Sequence, residues 1–113
     1  MNRFRKNRVA ELIREVLSDI ILYKIKDPRV QGITITEVRM AADLKSAIVY
    51  FSSLADGKAV MHKQGLEAAN GFIRRQLRAE LDLKYTPALS FIYDESFDNF
   101  ARINSLLNQL DKS

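Results

Sequence analysis

Residues 69–77 read Ala69-Asn70-Gly71-Phe72-Ile73-Arg74-Arg75-Gln76-Leu77, and the fold turns on what Asn70-Gly71 does. Between flanks that alternate with period two, Asn-Gly is the strongest short hairpin signal. Here the apolar residues that follow, Ile73, Leu77 and Leu81, step by four, and Val60, Met61, Leu66 and Ala69 before it also fit a helix. Asn70-Gly71 therefore reads as a break or kink between two short helices within residues 58–83. Alanine at position 71 should destabilise if Gly71 holds a positive φ, and stabilise mildly if Gly71 is ordinary helix.

Working outward, Val9, Leu12, Ile13, Val16, Leu17, Ile20 and Ile21 recur at helical spacing and predict a long first helix, about residues 3–26, stopped by Asp27-Pro28. Residues 33–40 are β-branched and alternate, but Ile33 and Ile35 occupy odd positions and Val38 and Met40 even ones, which a bulge near Thr36-Glu37 reconciles. Residues 46–53 carry apolar side chains on both parities (Ala47, Val49, Phe51; Ile48, Tyr50), the pattern of a central strand covered on both faces. Ala41 to Lys45 join the two as a hairpin loop. After Thr86-Pro87, residues 88–93 form a third strand, and Ser96 caps a last helix, about 97–110, striped by Phe97, Phe100, Ala101, Leu107 and Leu110.

The chain has 113 residues, the size of one core, with 47% apolar and 28% charged side chains, so it reads as one folded domain. It holds no cysteine, which excludes disulfides, thiolate nucleophiles and cysteine-ligated metals. The four glycines build no phosphate-cradling Gly-rich loop, and His62, the one histidine, reads as a solvent-facing helix residue. Asp94, Glu95 and Asp98 suit the start of the last helix. Neither a catalytic set nor a cofactor or metal site emerges, so the expectation is a non-enzyme. Glu11, Arg14, Glu15 and Asp19 interrupt the apolar stretch after the basic start and no run approaches the roughly 20 apolar residues that span a bilayer, which argues against a targeting peptide or membrane span and for a cytoplasmic protein.

Charge is what remains. The net +4 is unevenly spread: residues 1–40 hold nine cations and five acids, residues 71–84 four and two, and residues 85–113 two and four. Arg3, Arg5, Lys6 and Arg8 precede the first acid, and Arg74, Arg75 and Arg78 share a wedge of roughly 100° on their helix, away from Ile73 and Leu77. Such clusters follow phosphate backbones without reading sequence, or else pair with acids of a neighbouring element. Lys24, Lys26 and Arg29 extend the first helix's exit. Phe4 and Tyr85 are the aromatics set among cations.

Together, the basic first helix, Lys26-Asp27-Pro28-Arg29-Val30, Asp43-Leu44 before Ala47, residues 69–77, and Lys84-Tyr85-Thr86-Pro87 followed by residues 89–94 resemble the ribosome-binding factor A family over nearly the whole chain. The resemblance implies an α+β fold: a single type II KH-like domain, ordered α-β-β-α-kink-α-β-α, whose three-stranded sheet carries the helices. Its Ala-x-Gly kink, here Ala69-Asn70-Gly71, replaces the usual Gly-x-x-Gly. It further implies a monomeric, non-enzymatic assembly factor that binds the free or immature small (30S) ribosomal subunit. There it assists late maturation of 16S rRNA and its precursor near the 5′-end helix, including in the cold, beside other assembly factors such as a release GTPase. Without the Gly-x-x-Gly clamp, RNA affinity must come from side-chain cations. The RNA role falls on Arg3, Arg5, Lys6, Arg8, Arg74, Arg75 and Arg78, and secondarily on Lys24, Lys26, Arg29, Arg39, Lys45 and Lys84. The alternative is a protein-interaction module using the same basic faces for acidic partners. Membrane-surface binding is disfavoured by Glu11, Glu15 and Asp19 on the first helix.

Overall fold

Helix α1 runs Arg3–Tyr23, and its last turn closes where Lys24 N–H reaches the Ile20 carbonyl at 2.8 Å. It stops short of residue 26 because Pro28 bars the helical conformation at Asp27 and because Ile25 turns inward, 8% exposed, to join the core. A single 3₁₀ turn follows at Pro28–Val30, capped by Asp27, whose Oδ1 accepts the Arg29 N–H at 2.9 Å. The computed structural model describes residues 3–54, 57–95 and 107, with the side chains of Arg3 and Phe4 left aside, so the last helix expected at 97–110 lies outside the described residues.

Strands β1 (Ile33–Met40), β2 (Ser46–Ser53) and β3 (Ala88–Tyr93) form one sheet in that spatial order, β1 antiparallel and β3 parallel to β2. Ile35 faces Phe51 while Glu37 faces Tyr50, so Thr36 is the extra residue of a bulge. The bulge returns Val38 and Met40 to the face that Ile35 occupies, which explains the change of parity in the sequence. Register then aligns three rows on that face: Met40–Ala47–Leu89, Val38–Val49–Phe91 and Ile35–Phe51–Tyr93. Phe51 is fully buried and meets the Tyr93 ring edge-on, with centroids 5.7 Å apart. On the other face Ile48 and Tyr50 are only half-buried, so the covering expected on both sides of β2 holds fully for one side.

The parallel β2–β3 pairing needs a crossover, supplied by helices α2 (Ala59–Ala68) and α3 (Asn70–Glu80). The chain breaks between them at Ala69 (φ −88°, ψ 0°), as the period predicts, but Gly71 is not among the glycines with positive φ. The break therefore sits at the first residue of the Ala69-Asn70-Gly71 segment and does not depend on glycine's left-handed freedom. Ile13, Leu17 and Ile20 of α1 and Leu66, Ile73 and Leu77 of α2 and α3 are buried against the sheet. Each such side chain contributes about 1.5–3 kcal/mol relative to exposure. Leu12 and Val60, counted in the helical stripes, instead face solvent.

Candidate nucleic-acid interface

His62 is the main correction to the sequence reading. It is 1% exposed, and its ring spans two elements: Nδ1 lies 2.6 Å from the Arg29 carbonyl oxygen and Nε2 2.8 Å from Ser53 Oγ. The carbonyl can only accept, so Nδ1 carries a proton toward it, while Nε2 shares a second hydrogen bond with the Ser53 hydroxyl. One turn on, a Cβ at Gly65 would lie 2.7 Å from Arg29 Cβ and 3.0 Å from Val30 Cγ1. Glycine thus lets α2 seat directly on the 3₁₀ turn, and His62 fastens it there. The histidine belongs to the scaffold.

The α3 arginines behave as their spacing predicts. Arg74, Arg75 and Arg78 lie on the surface, and none forms an ion pair with a described residue. The pairing with acids of another element does not occur among the described residues, Asp82 included. Arg74 differs from its neighbours: its Nε donates to the Pro87 carbonyl at 3.0 Å and Nη2 to the Thr86 carbonyl at 3.1 Å. It ties α3 to the loop that enters β3. Arg75 and Arg78 extend past Gly71 and Thr86 into a shallow concavity without such ties.

That loop joins the two basic clusters. Arg74 and Arg78 share one concavity with Lys84, Tyr85 and Thr86. On the other side of Lys84 and Tyr85, a second cleft of about 320 Å³ is bounded by Arg5 and Val9 of α1, Asp43 and Leu44 of the hairpin loop, and Asp82 and Leu83. Lys45 Nζ and Lys84 Nζ stand 5.2 Å and 5.4 Å from the Tyr85 ring centroid, close enough for cation–π attraction. Residues 5, 45, 74, 78, 84 and 85 therefore make one continuous strip of cations around a half-exposed aromatic ring.

The remaining predicted cations divide. Lys6, Arg8 and Lys26 have no ion-pair partner among the described residues, whereas Lys24 bonds Glu80 Oε1 at 3.0 Å and Gln76 Oε1 at 3.1 Å. Arg29 forks onto the Asp27 carboxylate at 2.7–3.2 Å, holding that carboxyl below its ordinary range chiefly through the side-chain hydrogen bonds. Arg39 bonds Glu37 at 2.9 Å and covers the Tyr50 ring on the sheet's half-covered face. These three, Lys24, Arg29 and Arg39, are engaged within the fold.

Comparison with known proteins agrees with the fold. The family model described as "Ribosome-binding factor A" matches residues 5–107. The curated ribosome-binding factor A of Pediococcus pentosaceus is 41% identical over 112 residues, spanning 97% of either chain. The crystal structure of ribosome-binding factor A from Thermus thermophilus superposes with a TM-score of 0.72 at 20% identity, over 78% of this chain and 93% of that one. A Thermus thermophilus homology model fitted into the cryo-EM map of a 30S complex gives 0.67 at 20% identity, over 80% and 97% of the two chains.

Proposed function

This chain belongs to the ribosome-binding factor A family, and on that premise we propose that it is a ribosome biogenesis factor that binds the free or immature 30S subunit. It assists late maturation of 16S rRNA near the 5′-end helix, including at low temperature, through binding and without catalysis. The observation that carries this reading is the strip of cations from Arg5 through Lys84 and Lys45 to Arg74 and Arg78, whose members lack carboxylate partners among the described residues. A fold that leaves several cations unpaired on one continuous surface is matched to a polyanion. The Thermus relative fitted into a 30S complex supports the small subunit as the source of that polyanion.

Within the RNA-facing set, Arg75, Arg78, Lys84, Lys45 and Arg5 are the principal contacts, with Arg3, Lys6 and Arg8 extending them along α1. Lys24, Arg29 and Arg39, already held by Glu80, Asp27 and Glu37, contribute less. The test is co-sedimentation of the intact protein with 30S subunits across a salt series. Reversing Arg75 and Arg78 to Glu removes cations without cutting the Arg74 ties. Binding should weaken and its salt dependence flatten by about 0.7–0.9 per lost phosphate contact. Unchanged binding at every salt concentration would overturn the assignment, and association with soluble acidic proteins alone would favour the interaction-module alternative.

A further inference from the structure

The cleft between α1, the hairpin loop and the loop into β3 has contents that a phosphate-binding strip does not need. Its walls include the apolar Leu44 and Leu83, the half-exposed Tyr85 ring and the carboxylates of Asp43 and Asp82. Neither carboxylate is ion-paired among the described residues, although Arg5 and Lys84 border the same space. Asp43 is held in place: its Oδ1 accepts the Lys45 N–H at 2.9 Å, closing an Asx turn, and its second oxygen is left for another donor. Leu44 sits at φ +62°, a left-handed conformation that is strained for a leucine and natural for Gly or Asn. A loop selected for backbone comfort would carry one of those. The leucine side chain instead packs on the core and lines the cleft.

We propose that this cleft receives one unstacked nucleobase of the bound RNA and prefers a base with an amino edge, guanine above all and uracil least. The inference rests on the RNA reading above. The ligand must be flat and apolar on its faces, because Tyr85, Leu44 and Leu83 surround the space. It must donate hydrogen bonds at its rim, because the acceptors there are carboxylates. It must also be attached to anions, because Arg5 and Lys84 line the same space, Lys45 Nζ stands 5.2 Å from the Tyr85 ring centroid, and Arg74 and Arg78 continue the path. A nucleotide inside an RNA strand meets all three demands. Guanine presents two adjacent donors, N1–H and the 2-amino group, which one carboxylate accepts together, whereas uracil offers a single N–H between two carbonyls. Lys45 and Lys84 reach the Tyr85 ring on flexible stems, so an entering base displaces an ammonium from the ring towards its own phosphate.

The experiment titrates the ¹⁵N-labelled full chain with two RNA hexamers, UUUUUU and UUUGUU, following the amides of Leu44, Leu83 and Tyr85. UUUGUU should bind at least about fivefold tighter and shift those amides, as bidentate recognition of one base predicts. Tyr85→Ala, at an exposed position that leaves folding intact, should lower affinity for UUUGUU about tenfold. The double variant Asp43→Asn, Asp82→Asn separates reading from mere repulsion. Neutralising carboxylates that only repel RNA would tighten both hexamers, whereas neutralising ones that read the base tightens UUUUUU and erases the preference for UUUGUU. Equal affinity of the two hexamers for the unaltered protein, or pocket amides that stay still, overturns the nucleobase site, as does failure of both to bind. Co-sedimentation with 30S subunits, measured on the same preparation, shows separately whether the broader RNA reading survives.

Discussion

His62 and Gly65 in α2 and Arg75 and Arg78 in α3 meet opposite surroundings on either side of Ala69. In α2, His62 and the Gly65 backbone are taken into the structure, one by two hydrogen bonds and the other by a contact too close for any Cβ. In α3, Arg75 and Arg78 point into open concavities and form no ion pair with a described residue. α2 packs onto the 3₁₀ turn at His62 and Gly65, whereas α3 leaves one face to solvent while Ile73 and Leu77 anchor the other. The role of His62 is thus set by what its helix is packed against, which neither its type nor its neighbours in sequence reveal.

This contrast can be broken at four points. Gly65→Leu should be destabilising, because the new side chain would have to push Arg29 and Val30 away. Overpacking costs about 1–3 kcal/mol and outweighs the gain of about 1 kcal/mol from relieving a helical glycine. A urea melt should show the loss, and a variant as stable as the parent would sink the close-docking account. His62→Ala removes one hydrogen-bond partner each from the Arg29 carbonyl and the Ser53 hydroxyl and leaves a cavity. It should cost about 2–3 kcal/mol in the same assay.

On the α3 side the effects should be smaller and of mixed sign. Arg74→Ala cuts two hydrogen bonds to the Thr86 and Pro87 carbonyls at the surface, so about 1 kcal/mol of thermal stability should go. Amide exchange in residues 84–87 should rise with it. Arg74→Lys, lacking the fork, should not restore the loop. Gly71→Ala should be the smallest change and the one that stabilises, by about 0.5 kcal/mol. Gly71 has no positive φ, and an added Cβ would meet only the far end of the Arg75 side chain, 3.4 Å away. A Tm lower than the parent's would show that the kink needs glycine after all.

Much of this was legible in the sequence because it follows from period and parity, which are local. The change of parity between Ile35 and Val38 announced the bulge, and the steps of four after Asn70-Gly71 announced α3. Spacing alone put Arg74, Arg75 and Arg78 on one face. What stayed hidden depends on residues far apart in the chain. His62 read as solvent-facing because its partners, Arg29 and Ser53, lie 33 and 9 positions away and belong to other elements. Gly65 carried no signal, since an isolated glycine in a helix gives no hint of what approaches it. Nothing in the sequence separated Lys24, Arg29 and Arg39 from Lys26, Lys45 and Lys84 until their carboxylate partners were located. The cleft beside Tyr85 draws on α1 and two loops, which only the fold brings together.

The parallel pairing of β3 with β2 also has a kinetic meaning. The β1–β2 hairpin closes over a five-residue loop, whereas Ser46 meets Ala88 only across the whole crossover. Loop closure over such a distance delays that step relative to the hairpin. The Lys45 carbonyl accepts the Ala88 N–H at 2.9 Å, so the same late step brings Lys84 and Tyr85 beside Lys45 and Arg5. A chain that has not finished folding therefore lacks the joined cationic strip, and opening of the β3 edge would split it again.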